Sequence, residues 1–370
     1  MKIPYVNLTE QYKQEKNDLL KVIDNTLKSG NYVGGKEVEK FEQNISKICG
    51  TKYCISLNSG TDALTLSLFA SGVRKGDEVI TPPNSFVAST AVIVHLGAKP
   101  VFVDVKDDQN INEDLIEKKI TNRTKAIMPV HLTGRMCNME KIIKISKKYK
   151  IPVIEDSAQA IMSTYLKKQS GSYGDFGCFS AHPLKNLNAL GDSGYLTTNS
   201  RDAYELLTDL RTHGMKNRNI VNKFGYVSRM DHLQAAILNF RLKNLKKLIN
   251  KRRANVKKYL KYLNPENFFF PYEKKEEFNT YHTFVLQFKN RDKLKKYLFS
   301  KGISTAIHYP IPIHLQPAAK FLKFKPGSFP ITERQAKTIL TLPINQFLSE
   351  NQIKYISNTI NNFYEKEKIN

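Results

Sequence analysis

The sequence is poor in cysteine, short of acidic residues and free of long apolar runs. Its four cysteines, Cys49, Cys54, Cys137 and Cys178, form neither a CxxC pair nor a Cys/His cluster with zinc spacing. Reduced structural thiols are expected rather than a disulfide framework, and no metal site is expected. No stretch stays apolar for long enough to cross a bilayer. The opening MKIPYVNLTEQYKQEK turns polar within a few residues and lacks an apolar h-region. A cytoplasmic protein with no membrane partner is therefore expected. Helix-turn-helix, RNP and zinc-finger patterns are missing, so nucleic acid is not an expected partner. There are no internal repeats and no low-complexity linker.

The acidic deficit leaves 34 Asp and Glu against 58 Lys and Arg, a formal charge of +24. Such an excess could serve an anionic partner. The lysines are spread along the chain, however. The densest run holds Lys243, Lys246, Lys247, Lys251, Arg252, Arg253, Lys257 and Lys258. It is interleaved at helical spacing with Leu242, Leu245, Leu248, Ile249, Val256 and Tyr259, which reads as a solvated face over a buried stripe. Compositional bias, with a modest contribution from an anionic substrate, is the favoured reading.

At 370 residues the chain exceeds what one core usually holds, so a large and a smaller domain are expected. Apolar, β-branched runs at 53–57, 78–81, 100–105, 126–130, 153–154, 177–180 and 195–198 alternate with helical patterns at 62–71, 89–95 and 139–148. Several runs are continuously apolar, as strands covered on both faces require. The alternation predicts a mostly parallel α/β sheet. A long amphipathic helix from about Met230 to Leu263 is expected to leave the large domain, with a second α/β pattern beyond about residue 265.

Ligands bind at the carboxyl ends of strands in an open parallel sheet, and four segments fall there. Ser59-Gly60-Thr61-Asp62-Ala63 opens a helix after a strand; it suits a phosphate and equally reads as a helix cap. Pro82-Pro83-Asn84-Ser85-Phe86 offers an aromatic ring that could stack on a planar cofactor or pack in a core. Glu155-Asp156-Ser157-Ala158-Gln159 puts carboxylates at a buried strand end, where a protonated pyridine nitrogen is one partner and a helix cap another use. Phe179-Ser180-Ala181-His182-Pro183-Leu184-Lys185 places a lysine in a short loop after a strand. Partial desolvation there lowers a lysine pKa and makes an amine nucleophile, although surface lysines are common in this chain.

Phosphate cradle, aromatic, carboxylate and lysine occur in that order. With SGTDAL, GDEVITPPNSFVAST, HLGAKPVFVDV, VIEDSAQA, FGCFSAHPLKNL, GDSGYLTT, SRMDHLQAAIL and HYPIPIHLQPA, the chain from about Ile3 to Tyr364 resembles the DegT/DnrJ/EryC1/StrS sugar aminotransferases. The resemblance implies an α/β chain of fold type I that depends on pyridoxal 5′-phosphate (PLP). It implies a large PLP-binding domain over 1–245 and a smaller C-terminal domain over 246–370. Lys185 would bind the cofactor as a Schiff base and shuttle the proton. Asp156 would pair with the pyridine nitrogen, Gln159 with the phenolic oxygen, and Phe86 would stack on the ring. Gly60, Thr61 and Ser180 would hold the phosphate. His308, Tyr309 and Arg229 would lie on the substrate side.

The implied reaction moves an amino group from L-glutamate to a keto sugar linked to a nucleotide diphosphate, for polysaccharide or glycoconjugate synthesis. The implied assembly is a homodimer with active sites at the subunit interface. Gly191-Asp192 stands where many C-4 aminating members carry Glu-Gly-Gly, and resembles C-3 aminating ones. One departure falls in Gly225-Tyr226-Val227-Ser228-Arg229, where Val227 replaces an Asn that reaches the partner's cofactor phosphate. Ser228, Arg229 or Asn217 could take its place, or the contact could be missing. The rival readings are a sugar dehydratase of the same fold, which carries His at the Lys185 position, and a non-catalytic regulator.

Overall fold

The computed structural model describes residues 1–369, with side chains through Glu367. Seven strands build the main sheet: β1 (Tyr53–Leu57), β2 (Glu78–Thr81), β3 (Lys99–Phe102), β4 (Thr124–Ile127), β5 (Ile154–Asp156), β6 (Phe176–Ser180) and β7 (Gly194–Thr198). They lie in the order β3-β2-β4-β5-β6-β7-β1, the two halves being joined by parallel bridges Ile127–Val153 and Val130–Asp156. All neighbours are parallel except β7, which runs antiparallel to both β6 and β1. Six strands therefore share one direction, and their carboxyl ends line one edge of the sheet.

The continuous apolar runs have the expected cause. In β6, Phe176 and Cys178 enter one core cluster while Phe179 enters the cluster on the opposite face. Strand periodicity sends alternate side chains to opposite faces, so a sheet covered on both sides needs apolar residues at every position. Helices α1 (Leu8–Ser29) and α2 (Lys36–Cys49) precede β1. Crossovers then follow through α3 (Gly60–Ala70), α4 (Val87–His95) and α5 (Met139–Tyr149), and α6 (Arg201–Leu210) follows β7.

The single long helix expected over Met230–Leu263 is two, α7 (His232–Leu242) and α8 (Leu245–Tyr262). Lys243 and Asn244 sit between them, Asn244 at φ −108°, ψ −1°. Arg241, at the end of α7, is buried and tied to Glu15 and to the Asn188 carbonyl, which anchors α7 beneath the sheet. Helix α8 then departs. Its Leu245 and Ile249 join the core around β6 and β7, while Val256, Tyr259 and Leu263 join a second core. That core covers an antiparallel sheet of Phe268–Phe269, β8 (Phe284–Phe288) and β9 (Ile339–Leu342), with α9 (Arg291–Ser300) and α11 (Glu350–Ile369) packed on it and α10 (Pro330–Thr338) leading into β9. Ile3 also belongs to it, bridging to Ile303. No helix among the described residues is long and apolar enough to cross a membrane.

Candidate active site

A cavity of about 430 Å³ opens at the carboxyl edge of the main sheet and is closed on its far side by α8 and the residues around β8 and β9. Gly60, Thr61, Phe86, Asp156, Gln159, Ser180, Lys185, His308 and Tyr309 all line it. They arrive on five separate segments, and the order of the strands brings them together.

The floor is the β1–α3 turn. Ser59 caps α3, its Oγ accepting from the Asp62 N–H at 3.0 Å. The N–H groups of Gly60 and Thr61 point beyond the cap at the positive end of the helix, which favours an anion. Gly60 is small because it must be. A Cβ there would lie 2.8 Å from Ser180 Cβ, and one on neighbouring Gly194 would lie 2.2 Å from the Ser59 carbonyl carbon. The ends of β1, β6 and β7 thus meet backbone to backbone, and Ser180 is brought against the helix start.

Asp156 ends β5 and is 5% exposed. Ser89 Oγ donates to its Oδ2 at 2.8 Å and the Ala158 N–H to its Oδ1 at 3.2 Å. Burial nevertheless raises its pKa against these bonds and the Lys185 charge. Its backbone is pinned on both sides, donating to the Pro129 carbonyl and accepting from the His131 N–H. Behind it, the His131 ring takes a bond from the Cys137 N–H at Nδ1, so Nε2 carries the proton and donates to Glu155 at 2.9 Å.

Lys185 lies in a turn closed by its N–H to the His182 carbonyl at 2.8 Å. Asn186 and Asn188 lock that turn to the Thr280 and Pro183 carbonyls. Burial pushes the Lys185 pKa down to about 8, with Asp156 opposing the shift, and the amine forms no hydrogen bond. It therefore holds a substantial neutral fraction near neutral pH.

Gln159 Oε1 accepts from the Thr133 N–H at 2.8 Å, so its NH₂ group is the part left for other acceptors. It faces the Tyr309 phenol, whose pKa burial and Asp156 push up. Phe86 is 56% exposed at the cavity mouth, its ring centroid 5.9 Å from that of Tyr309. It is not a core residue, and its free face is available for stacking. His308 donates to or accepts from Thr341 Oγ1 at 2.9 Å, and burial lowers its pKa to about 4, so it is neutral.

Arg229 does not line the cavity of the single chain. It follows Ser228, which is fully buried and bound to Asn58 at 3.1 Å. Asn217 Oδ1 accepts from the Asn219 and Ile220 N–H groups, which engages its acceptor and leaves its NH₂ group as a donor. Val227 is exposed, beside a hairpin (Met215–Asn217 with Ile220–Val221) whose Phe224 is 99% exposed. Other wall residues were not legible. Tyr5, Ser89, His282, Asn345 and Arg252 also line the cavity. Arg252 was read as part of the solvated face of a basic helix; it is instead turned inward on α8 and only 8% exposed.

These groups fit PLP. A buried carboxylate without a cationic partner suits a ring N–H⁺, a partly neutral amine suits an aldehyde, and a helix start packed too tightly for side chains suits a phosphate. The comparisons agree. A model of the "DegT/DnrJ/EryC1/StrS aminotransferase family" matches residues 13–361. A dTDP-3-amino-3,6-dideoxy-alpha-D-galactopyranose transaminase of Aneurinibacillus thermoaerophilus is 40% identical, over 98% of this chain and 99% of that one. A pleiotropic regulatory protein of Geobacillus stearothermophilus is 38% identical, over 98% and 99%. The crystal structure of S. venezuelae DesV in complex with a ketimine intermediate superposes with a TM-score of 0.96 at 33% identity, covering 98% and 99% of the two chains. The chain belongs to the DegT/DnrJ/EryC1/StrS aminotransferase family and is a PLP-dependent transaminase of fold type I.

Proposed function

We propose that the enzyme transfers the amino group of L-glutamate to carbon 3 of a keto sugar carried on a nucleoside diphosphate. The observation that carries the reading is the opposition of Lys185 and Asp156 across one cavity, each within electrostatic reach of the other. PLP, when bound, supplies an electron-withdrawing ring that stabilises negative charge at the carbon next to the transferred nitrogen. Lys185 would hold the cofactor and then, freed, carry the proton to and from that carbon as an amine of suitably lowered pKa. Asp156 would keep the ring nitrogen protonated, with Ser89 fixing the carboxylate. Gln159 would donate to the phenolic oxygen, Phe86 would cover the ring, and Gly60, Thr61 and Ser180 would hold the phosphate. Tyr309 and His308 would border the sugar.

The Aneurinibacillus relative's name specifies a 3-amino sugar. The Gly191-Asp192 turn, with Asp192 on the cavity wall, points the same way. The amino sugar product suits glycoconjugate assembly. We assign residues 1–245 to a cofactor-binding domain and 246–370 to a smaller domain. A homodimer is supported by the apolar strip of Ile220, Val221, Phe224, Tyr226 and Val227, which is exposed on the single chain. Arg229 and the NH₂ group of Asn217 are then the donors left to reach a partner's cofactor, since the Ser228 hydroxyl is bound within its own chain. Four buried free thiols support a cytoplasmic enzyme.

A relative bears a regulatory name, and a regulator of this fold is the second reading. It has no use for a desolvated amine facing a desolvated carboxylate, an arrangement that is costly to keep. Purified protein should turn yellow with PLP, lose the colour with L-glutamate, and regain it with the keto sugar. Lys185→Ala should abolish the glutamate response. A protein that stays colourless after incubation with PLP sinks the enzymatic reading.

A further inference from the structure

Four arginine side chains are buried in the described residues: Arg135, Arg241, Arg252 and Arg291. Three have a carboxylate, at 3.2 Å from Glu277, 2.8 Å from Glu15 and 2.7 Å from Asp292 respectively. Arg252 has none among the described residues. Its Nη1 donates to the carbonyls of Tyr281 and His282 at 3.3 and 3.2 Å, and its Nε is buried without any acceptor. Loss of water is costly enough to drag this guanidinium down to a pKa of about 10. Buried charges are ordinarily paired, and an unpaired one survives where its partner comes from outside the chain. Arg252 forms part of the cavity wall together with Tyr5, His282 and Lys185. No other arginine lines the cavity among the described residues.

We propose that Arg252 is the receptor for a carboxylate of the amino donor; the inference rests on the transaminase reading above and names the residue that selects its first substrate. A guanidinium edge matches a carboxylate in geometry and charge, and Nη1 is already committed to the two carbonyls, leaving Nε and Nη2 for the ligand. The competing anion is the sugar nucleotide's diphosphate. With about 430 Å³ in all, the cavity holds a cofactor and one small substrate, so a nucleotide must extend through the mouth. Arg252 is only 8% exposed, whereas Phe86 on the same cavity is 56% exposed. The amino acid and the keto sugar occupy the same space in turn. Arg252 is paired in the first half-reaction and unpaired in the second, so departure of the keto acid is what readmits the sugar.

The test uses PLP-loaded wild type, Arg252→Gln and Arg252→Lys. In Arg252→Gln the L-glutamate concentration giving half-maximal bleaching should rise about 10- to 100-fold. Arg252→Lys, which keeps the charge but not the fork, should fall between, and it carries the test alone if the Gln variant fails to fold. The keto-sugar dependence of the return of colour should change several-fold less than the glutamate dependence does. As a readout independent of turnover, glutarate, which has no amino group to transfer, should raise the Tm of the wild type and not that of Arg252→Gln. Equal glutamate dependence in wild type and Arg252→Gln overturns the assignment, as does a defect confined to the sugar half. A wild type that takes up no PLP, or ignores glutamate, overturns the parent reading and this one with it.

Discussion

Lys185 should capture PLP with a pH profile centred near 8. Burial lowers its pKa from 10.5 to about 8. At pH 7 the neutral, nucleophilic fraction is then about 10%, some 300-fold more than for an ordinary lysine. Asp156 opposes that shift, so Asp156→Asn should move the midpoint lower still. Capture at pH 7 should speed up, by no more than about tenfold because the fraction cannot exceed one. Transamination should collapse in the same variant, since nothing then holds the ring nitrogen charged. Mixing cofactor-free protein with excess PLP from pH 6 to 10 and following the growth of yellow absorbance gives the profile directly. The linkage adds a second readout. The folded pKa lies below the unfolded one, so the charged amine destabilises the cofactor-free fold; the cost is fully present below about pH 8 and vanishes as pH rises to 10.5. Lys185→Met should raise the Tm of the cofactor-free protein at pH 7, with the gain lost at pH 10.5. A capture midpoint near 10, or one that rises in Asp156→Asn, would refute the argument from burial.

Gly60→Ala, with its Cβ 2.8 Å from a side-chain carbon, should cost about 1–3 kcal/mol and weaken PLP binding. Gly194→Ala, 2.2 Å from backbone, should be worse; urea denaturation ranks the two, and a wild-type midpoint for Gly194→Ala would contradict the packing described. Ser89→Ala removes the 2.8 Å bond to Asp156 and should lower kcat about tenfold with little change in Tm, which steady-state kinetics and a thermal melt separate. A drop in Tm at unchanged kcat would make Ser89 merely structural. The proposed dimer should become a monomer in Phe224→Asp by sedimentation velocity, because the side chain is wholly exposed on the single chain; a dimer unchanged by the substitution places the interface elsewhere.

The strands and their carboxyl-end loops were legible because continuous apolar runs and glycine-marked turns are local signals. The expected strand 53–57 coincides with β1, and Asp156 and Lys185 were singled out from adjoining strand ends. What escaped was whatever depends on distant chain segments. Nothing near Tyr5 announces that the start of the chain crosses to the cavity. Ser89 has an ordinary helical setting until Asp156 is placed beside it. Arg252 shows the difficulty best. In a run of eight basic residues, residue type argued for solvent at every position, although Arg252 falls in phase with the buried stripe of α8. Its position between Ile249 and Val256, both buried, was the available clue.

The meeting of Ser59, Gly60, Ser180 and Gly194 leaves that end of the pocket with no room for variation. If it holds the cofactor phosphate as proposed, a lineage exploring new sugars cannot alter it without losing the coenzyme. Innovation would thereby be channelled to the opposite wall, where the loops around β8 and β9 present replaceable side chains. Chemistry and taste are written on separate pieces of the polypeptide, so that one can drift while the other stands still.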